Sequence, residues 1–299
     1  MNALVAKLKS NQFACELLTR CNFPPAGAPL NCAVSGGKDS MAMLLLACLN
    51  GCDVTAIHVD HSLRVGSDAE AQVVDQLAKL LGAKFISKTI KVEPGSNLEA
   101  RAREARYSVL PRDIATGHTA DDQAETVLIN LLRGAGLQGL AGMQRSHAHP
   151  ILGLRRSETE QLCAMFEIKC VVDPSNADPK FLRNRVRHEL MPLIDQISQR
   201  DVAAILDRQA ELFRDDAELL DELAKDIDPT DAKAVATAPL ALARRAIRIW
   251  LTEIYPPDAA TVERVLGVAR GETTACEIGM NREVRRSQQR LQVISKSQN

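Results

Sequence analysis

The stretch Ser35-Gly36-Gly37-Lys38-Asp39-Ser40 concentrates residue types that handle phosphate. Two adjacent glycines let a backbone turn sharply and bring its N–H groups against an anion. The apolar run Leu30–Val34 precedes it, and an apolar helix is predicted from about Lys38 to Leu49. The loop thus joins a strand to a helix whose positive dipole end points at the same anion. Ser35 and Ser40 hydroxyls can donate to phosphoryl oxygens, and Asp39 can hold Mg²⁺ against them. Lys38 is open to two readings, a counter-charge for phosphate or a solvated first-turn side chain. Neither GxxxxGK[ST] nor GxGxxG is present, so the loop is neither of those nucleotide turns.

A second constellation is Ala115-Thr116-Gly117-His118-Thr119-Ala120-Asp121-Asp122-Gln123-Ala124-Glu125-Thr126. It follows a short strand predicted over Ile114–Thr116 and opens a helix predicted over 120–133. Asp121, Asp122 and Glu125 stand three, four and seven residues after His118, which makes one polar helix face. In a doubly wound sheet the ligand crevice lies at the carboxyl edge of the strands, so this face should meet the phosphate loop. Acids at a helix N-terminus are also stabilised by its dipole alone, and spacing does not separate the two readings.

The elements that must position these residues alternate. Helices are predicted over 3–20, 38–49, 67–81, 97–110, 120–133 and 157–167, the last opened by Ser157 and Glu160. Strands are predicted over 30–34, 53–59, 84–90, 114–116 and 169–172. Short strands alternating with longer helices imply an α/β fold, a doubly wound parallel sheet covered on both faces. Past residue 195 no strand pattern is visible. Residues 207–231 hold ten acidic and three basic residues, and 244–290 hold nine arginines against six acids. A smaller, mainly helical domain is expected there, with domains of 1–198 and 199–299.

At 299 residues the chain is long enough for about two domains. It is 45% apolar and 25% charged, with 3% aromatics, which excludes a disordered or collagen-like chain. Its 37 basic and 38 acidic residues nearly cancel, so it is not an indiscriminate polyanion binder. The eight cysteines form no CxxC pair and read as thiols of a reducing compartment. Lys7 and Lys9 interrupt the N-terminal apolar residues at helical spacing, unlike a signal peptide. With no run long enough for a membrane span, a cytoplasmic protein without membrane partners is expected.

SGGKDS, IHVDHSLR at 57–64, AREARY at 102–107, ATGHTADDQAET at 115–126 and LLRGAGLQGLAGM at 131–143 together resemble the tRNA(Ile)-lysidine synthase family. HPILGLRR at 149–156 and DPSNADPKFLRNRVRHELMPL at 173–193 continue the likeness in order and spacing. The phosphate loop alone is similar to that of the wider N-type ATP pyrophosphatases; the later motifs single out this family. Members often have a second histidine where this chain has Thr119, and an arginine where it has His149. Thr119 argues against a two-histidine arrangement.

The resemblance implies adenine nucleotide alpha hydrolase-like topology and a ligase using ATP and Mg²⁺. Its partners would be free L-lysine and an isoleucine tRNA with a CAU anticodon, and the protein a monomer or homodimer. ATP would adenylate C2–O of the wobble cytidine, position 34, before the lysine side-chain amine displaces AMP. Val34 and residues 35–40 would hold the nucleotide with Ile57, Val59, His61, Gly117 and His118. Asp39 and Asp122 would organise Mg²⁺ and share catalysis with Arg106. Substrate contacts would fall to Asp60, Arg103, Asp121, Glu125, Arg133, Arg155, Arg156, Arg183, Asn184, Arg185 and Arg187. The alternative is another tRNA-modifying ATP pyrophosphatase, such as a 2-thiolase.

Overall fold

The computed structural model describes residues 2–60, 67–90, 101, 105, 107–172 and 178–295. It divides into two compact units, 1–211 and 212–299. The first is built on strands β1 (Pro29–Ala33), β2 (Asp53–Asp60), β3 (Lys84–Thr89) and β4 (Ala115–Thr116), all parallel, in the order β3-β2-β1-β4. The register sets Ala33 opposite Ile57 on one side and Thr116 on the other. The chain winds outward through β2 and β3, then crosses to the far side of β1 for β4. The carboxyl ends of β1 and β4 therefore flank the topological switch point, where such sheets open a crevice.

The helices of this unit are α1 (Ala3–Ser10), α2 (Gln12–Leu18), α3 (Lys38–Asn50), α4 (Ser67–Leu81), α5 (Ala120–Leu132), α6 (Leu137–Leu140), α7 (Arg156–Met165), α8 (Leu182–Arg185) and α9 (Met191–Ser198). α3 is apolar all round because it is covered all round: Met41 to Leu49 are all buried. Leu8, Leu17 and Leu162, from α1, α2 and α7, share its core. Among the described residues no helix is long and apolar enough to cross a membrane.

Three expectations need correction here. The helix expected over 3–20 breaks at Asn11, whose side chain accepts from the Ala14 N–H at 2.9 Å and starts a second helix. Residues 169–172 are not a strand; Val171 instead donates its N–H to the Gly36 carbonyl, 2.9 Å. The helix after residue 155 is capped two residues earlier than expected, by the Glu158 carboxylate accepting from the Arg155 N–H at 2.8 Å. The helix expected over 97–110 lies mostly outside the described residues.

A helix α10 (Val202–Ala224) leads into the second unit. There α11 (Ala232–Thr237), α12 (Leu240–Leu251) and α13 (Ala259–Arg270) are followed by an antiparallel sheet, β5 (Ala275–Gly279), β6 (Arg282–Ser287) and β7 (Arg290–Ser295). This sheet was not expected. Its tight turns carry Met280-Asn281 and Gln288-Gln289 at positive φ, as two-residue hairpins require. Val284 and Leu291 close its inner face on Val265, Leu266 and Ile247.

Candidate active site

The phosphate loop runs from the end of β1 into α3. Val34 is locked to β2, donating its N–H to the Ile57 carbonyl at 2.9 Å while its own carbonyl accepts from His58 Nδ1 at 2.8 Å. His58 is thus a buried orienting residue. Ser40 Oγ donates to the Gly37 carbonyl at 2.9 Å and lies 3.2 Å from Ser35 Oγ. Gly37 caps α3 with no side-chain hydrogen bond, so the first-turn donors keep their capacity for an anion. Gly36 sits at φ +90°, and a Cβ there would come within 2.8 Å of Val171 Cγ2.

Gly117 brings the second constellation onto this loop. A Cβ on it would lie 2.9 Å from Ser40 Cα and 3.0 Å from the Asp39 carbonyl carbon and oxygen. Only glycine permits that approach, and it sets α5 directly against the start of α3. Thr119, fully buried, then donates its N–H (2.9 Å) and hydroxyl (3.1 Å) to Asp122 Oδ2.

The acids of α5 face arginines from three segments. Asp122 Oδ1 accepts from Nη2 of Arg156, Arg183 and Arg187, each at 3.1 Å. Glu125, 2% exposed, accepts from Arg156 Nη2 (3.1 Å), Arg183 Nε (2.8 Å) and Arg187 Nε (2.6 Å). Burial alone would raise the Asp122 carboxyl, but Arg156, Arg183 and His118 outweigh it and hold it below the usual range. Asp121 is pinned separately, by both Arg155 Nη2 (3.0 Å) and Arg155 Nε (3.1 Å) and by the Arg156 N–H at 2.7 Å. Asp39 accepts from the Thr159 hydroxyl and stands 3.7 Å from Arg156 Nε. Burial and the nearby Asp122 charge push its carboxyl up to about 6, against the pull of Thr159 and Arg156.

At the end of β4, Thr116 Oγ1 lies 2.8 Å from His118 Nδ1 and 2.9 Å from His149 Nδ1. The two rings meet edge to face, centroids 5.1 Å apart. Thr119 itself supplies no second ring; the histidine beside His118 is His149.

Residues 12–194 match the PP-loop domain. The tRNA(Ile)-lysidine synthase of Rhodococcus erythropolis (strain PR4 / NBRC 100887) is 42% identical over 238 residues, covering 74% of this chain and 73% of that protein. This chain belongs to the tRNA(Ile)-lysidine synthase family. The synthase of Nocardia farcinica (strain IFM 10152) is 39% identical over 249 residues, 78% of each chain. The chain is accordingly an ATP-binding PP-loop enzyme. Among solved structures, the U34-tRNA thiolase NcsA from Methanococcus maripaludis, with its 4Fe-4S cluster, has a TM-score of 0.51 at 18% identity. That likeness covers 71% of this chain and 80% of the thiolase, and it is one of fold.

Against the family's motifs, the structure gathers Ser35 to Ser40, Gly117, His118, Asp122, Glu125, Arg156, Arg183 and Arg187 into one locality. Lys38 is half exposed and paired with Glu160 at 3.1 Å. Ile57 is buried, and Val59 and Asp60 occupy the carboxyl end of β2. Asn184 is buried and donates to the Asp178 carbonyl at 2.9 Å, which shapes the turn carrying its neighbouring arginines. Arg133 and Arg185 are exposed, Arg185 pairing with Glu189 on its own helix at 3.1 Å. His61, Arg103 and Arg106 lie outside the described residues.

The donor chemistry fits Mg²⁺ at one carboxylate. Asp39 keeps an oxygen whose nearest partner is the distant Arg156, whereas both oxygens of Asp122 are taken by Thr119 and three guanidiniums. Sequence reasoning missed Thr159 as a member of the site, and read His149 only as a departure from the family's arginine. Thr159 comes from a segment 120 residues from Asp39 and belongs to no motif.

Proposed function

We propose that this enzyme joins the side-chain amine of free L-lysine to C2 of the wobble cytidine of an isoleucine tRNA with a CAU anticodon. The observation that carries the reading is the Gly117 contact, which unites a phosphate loop with the acid-and-arginine cluster in a chain 42% identical to a tRNA(Ile)-lysidine synthase. In the first step the cytidine O2 attacks the α-phosphorus of ATP and pyrophosphate leaves. Ser35, Ser40 and the N–H groups of residues 36–40 hold the pyrophosphate, with Val34, Ile57 and Val59 along the adenosine. Asp39 is the one carboxylate that would hold Mg²⁺, which neutralises charge on the phosphates when bound. Arg106 is proposed to meet the α-phosphate and Arg103 the cytidine side, with His61 near the nucleotide.

In the second step the lysine nitrogen attacks C2, the C2–O bond breaks, and AMP departs with the electron pair. A cluster of both signs suits a zwitterion. Arg156, Arg183 and Arg187 can receive the α-carboxylate of lysine, and Asp122 and Glu125 its α-ammonium, each exchanging one internal partner for an external one. Asp60 stands across the crevice on β2. Asp121 and Arg155, bound to each other, brace α5 against α7. Of the arginines expected on tRNA, Arg133 and Arg185 face outward and are proposed to meet its phosphates.

The 2-thiolase alternative has the likeness of fold alone in its support. Incubation with ATP, labelled lysine and either CAU-anticodon isoleucine tRNA or elongator methionine tRNA tests the reading. Label should enter the isoleucine tRNA only. Label in neither tRNA overturns it.

A further inference from the structure

We infer that Glu160 is a positioning residue that competes with polyphosphate for the Lys38 ammonium and so hastens release of pyrophosphate. The inference rests on the function proposed above, in which pyrophosphate leaves from residues 35–40. Lys38 belongs to that loop, yet the hydroxyls and N–H groups assigned there leave its side chain without a role. Its Nζ lies 3.1 Å from Glu160 Oε1, on α7.

α7 reaches the loop with one face. Arg156, Thr159, Glu160 and Cys163 stand at helical positions i, i+3, i+4 and i+7, and each meets Lys38 or Asp39. Arg156 Nε is 3.7 Å from Asp39 Oδ2, and the Thr159 hydroxyl donates to Asp39 Oδ1. Cys163 Sγ donates to the Lys38 carbonyl at 3.4 Å. The face thus pairs the loop's acid with a cation and a hydroxyl, and its lysine with an acid. The Cys163 contact fixes only the backbone of Lys38. Its ammonium, at the end of a flexible four-carbon stem, is able to exchange partners.

The energetics favour such an exchange. Both side chains of the pair are 46% exposed, where an ion pair changes an equilibrium by only about 1.5–5-fold. Lys38 is the first residue of α3, next to the turn whose N–H groups stay open to an anion. Phosphate oxygens there carry more negative charge than one carboxylate, so polyphosphate draws the ammonium away from Glu160. Whatever factor stabilises the Lys38–Glu160 pair weakens polyphosphate binding by the same factor, because the pair must be broken on binding. After the α–β bond is cleaved, Glu160 supplies the alternative partner that lets pyrophosphate leave.

Equilibrium titrations of the full-length protein with inorganic pyrophosphate and with Mg²⁺–ATP, without tRNA or lysine, test this. Glu160→Gln should bind both about 2–5-fold more tightly, with a lower ATP KM and slower release of pyrophosphate in single-turnover assays. Replacing a merely structural glutamate would weaken binding or leave it alone. Lys38→Met should bind pyrophosphate more weakly than wild type, and Lys38→Met/Glu160→Gln should match Lys38→Met within about 1.5-fold. Weaker or unchanged binding by Glu160→Gln overturns the inference. Equal tightening in the Lys38→Met background overturns it too, since the carboxylate would then act by direct repulsion of phosphate. Failure of the wild type to transfer lysine, with these titrations as expected, overturns the proposed function instead.

Discussion

Asp39 is the residue at which function and stability should conflict most directly. Its carboxyl is raised from 3.8 to about 6, first by burial and then by the Asp122 charge. A group with a raised acid pKa holds its proton more tightly in the folded state. Its ionisation therefore costs stability as pH rises, beginning near 4 and complete near 7. The interval corresponds to about 3 kcal/mol at pH 8 and roughly half of that at pH 5. Asp39→Asn removes the cost and keeps an oxygen that can accept from Thr159, although the Arg156 contact loses its charge partner. In a unit of this size 1 kcal/mol shifts the melting temperature by about 2–4 °C. Relative to wild type, the variant should thus gain at least about 3 °C more at pH 8 than at pH 5 in thermal melts without nucleotide. Pyrophosphate release with saturating tRNA and lysine should meanwhile fall at least about 100-fold, through loss of the Mg²⁺-holding charge. Equal shifts at the two pH values would refute the burial argument, and activity within threefold of wild type would refute the catalytic one.

Gly117→Ala places a methyl about 0.5 Å inside ordinary contact with the Asp39 and Ser40 backbone, costing about 1–3 kcal/mol and misplacing the loop. Pyrophosphate release should drop by about 10–100-fold; an unaltered ATP dependence would show that α3 yields freely. Glu125→Gln removes a buried charge facing three guanidiniums and should lower stability by about 3 kcal/mol while raising the lysine KM. A melting temperature within 2 °C of wild type would contradict that. Arg133→Ala and Arg185→Ala should each reduce the log–log salt slope of tRNA binding by about 1, whereas Arg183→Ala should leave the slope alone and lower the melting temperature. Equal effects of all three in filter binding would mean that the inward arginines also reach phosphate.

The loop and the polar face of α5 were legible because they are local: glycines, caps and acids at helix spacing within a dozen residues. The partners of Glu125 were not. Arg183 and Arg187 reach it from 58 and 62 residues away, and a run of arginines looks the same in sequence whether it is solvated or buried. The expectation that they contact tRNA followed from that ambiguity. His149 and His118 are 31 residues apart, so their common hydrogen-bond partner left no periodic trace. The C-terminal sheet escaped notice because β6 carries one apolar residue, Val284, among Arg282, Glu283, Arg285 and Arg286. Its Gln288-Gln289 turn also lacks the glycine that would normally announce positive φ.

After α8 the backbone widens into a π-helical turn, Val186–Leu190, before α9 resumes ordinary winding. Val186 and Met191, five residues apart, both enter the small core formed with Ala124 and Leu128 of α5. On a regular α-helix that spacing would separate them by about 140°. The wider turn therefore acts as a phase corrector. It lets one helical run present Arg183 and Arg187 to Glu125 and still return an apolar side to α5 farther along. Deleting a single residue between 188 and 190 would preserve the charges but rotate everything downstream by about 100°. Chain length in that segment is consequently under the same constraint as the arginines, and its variation among relatives should be rarer than the exposure of its surface residues suggests.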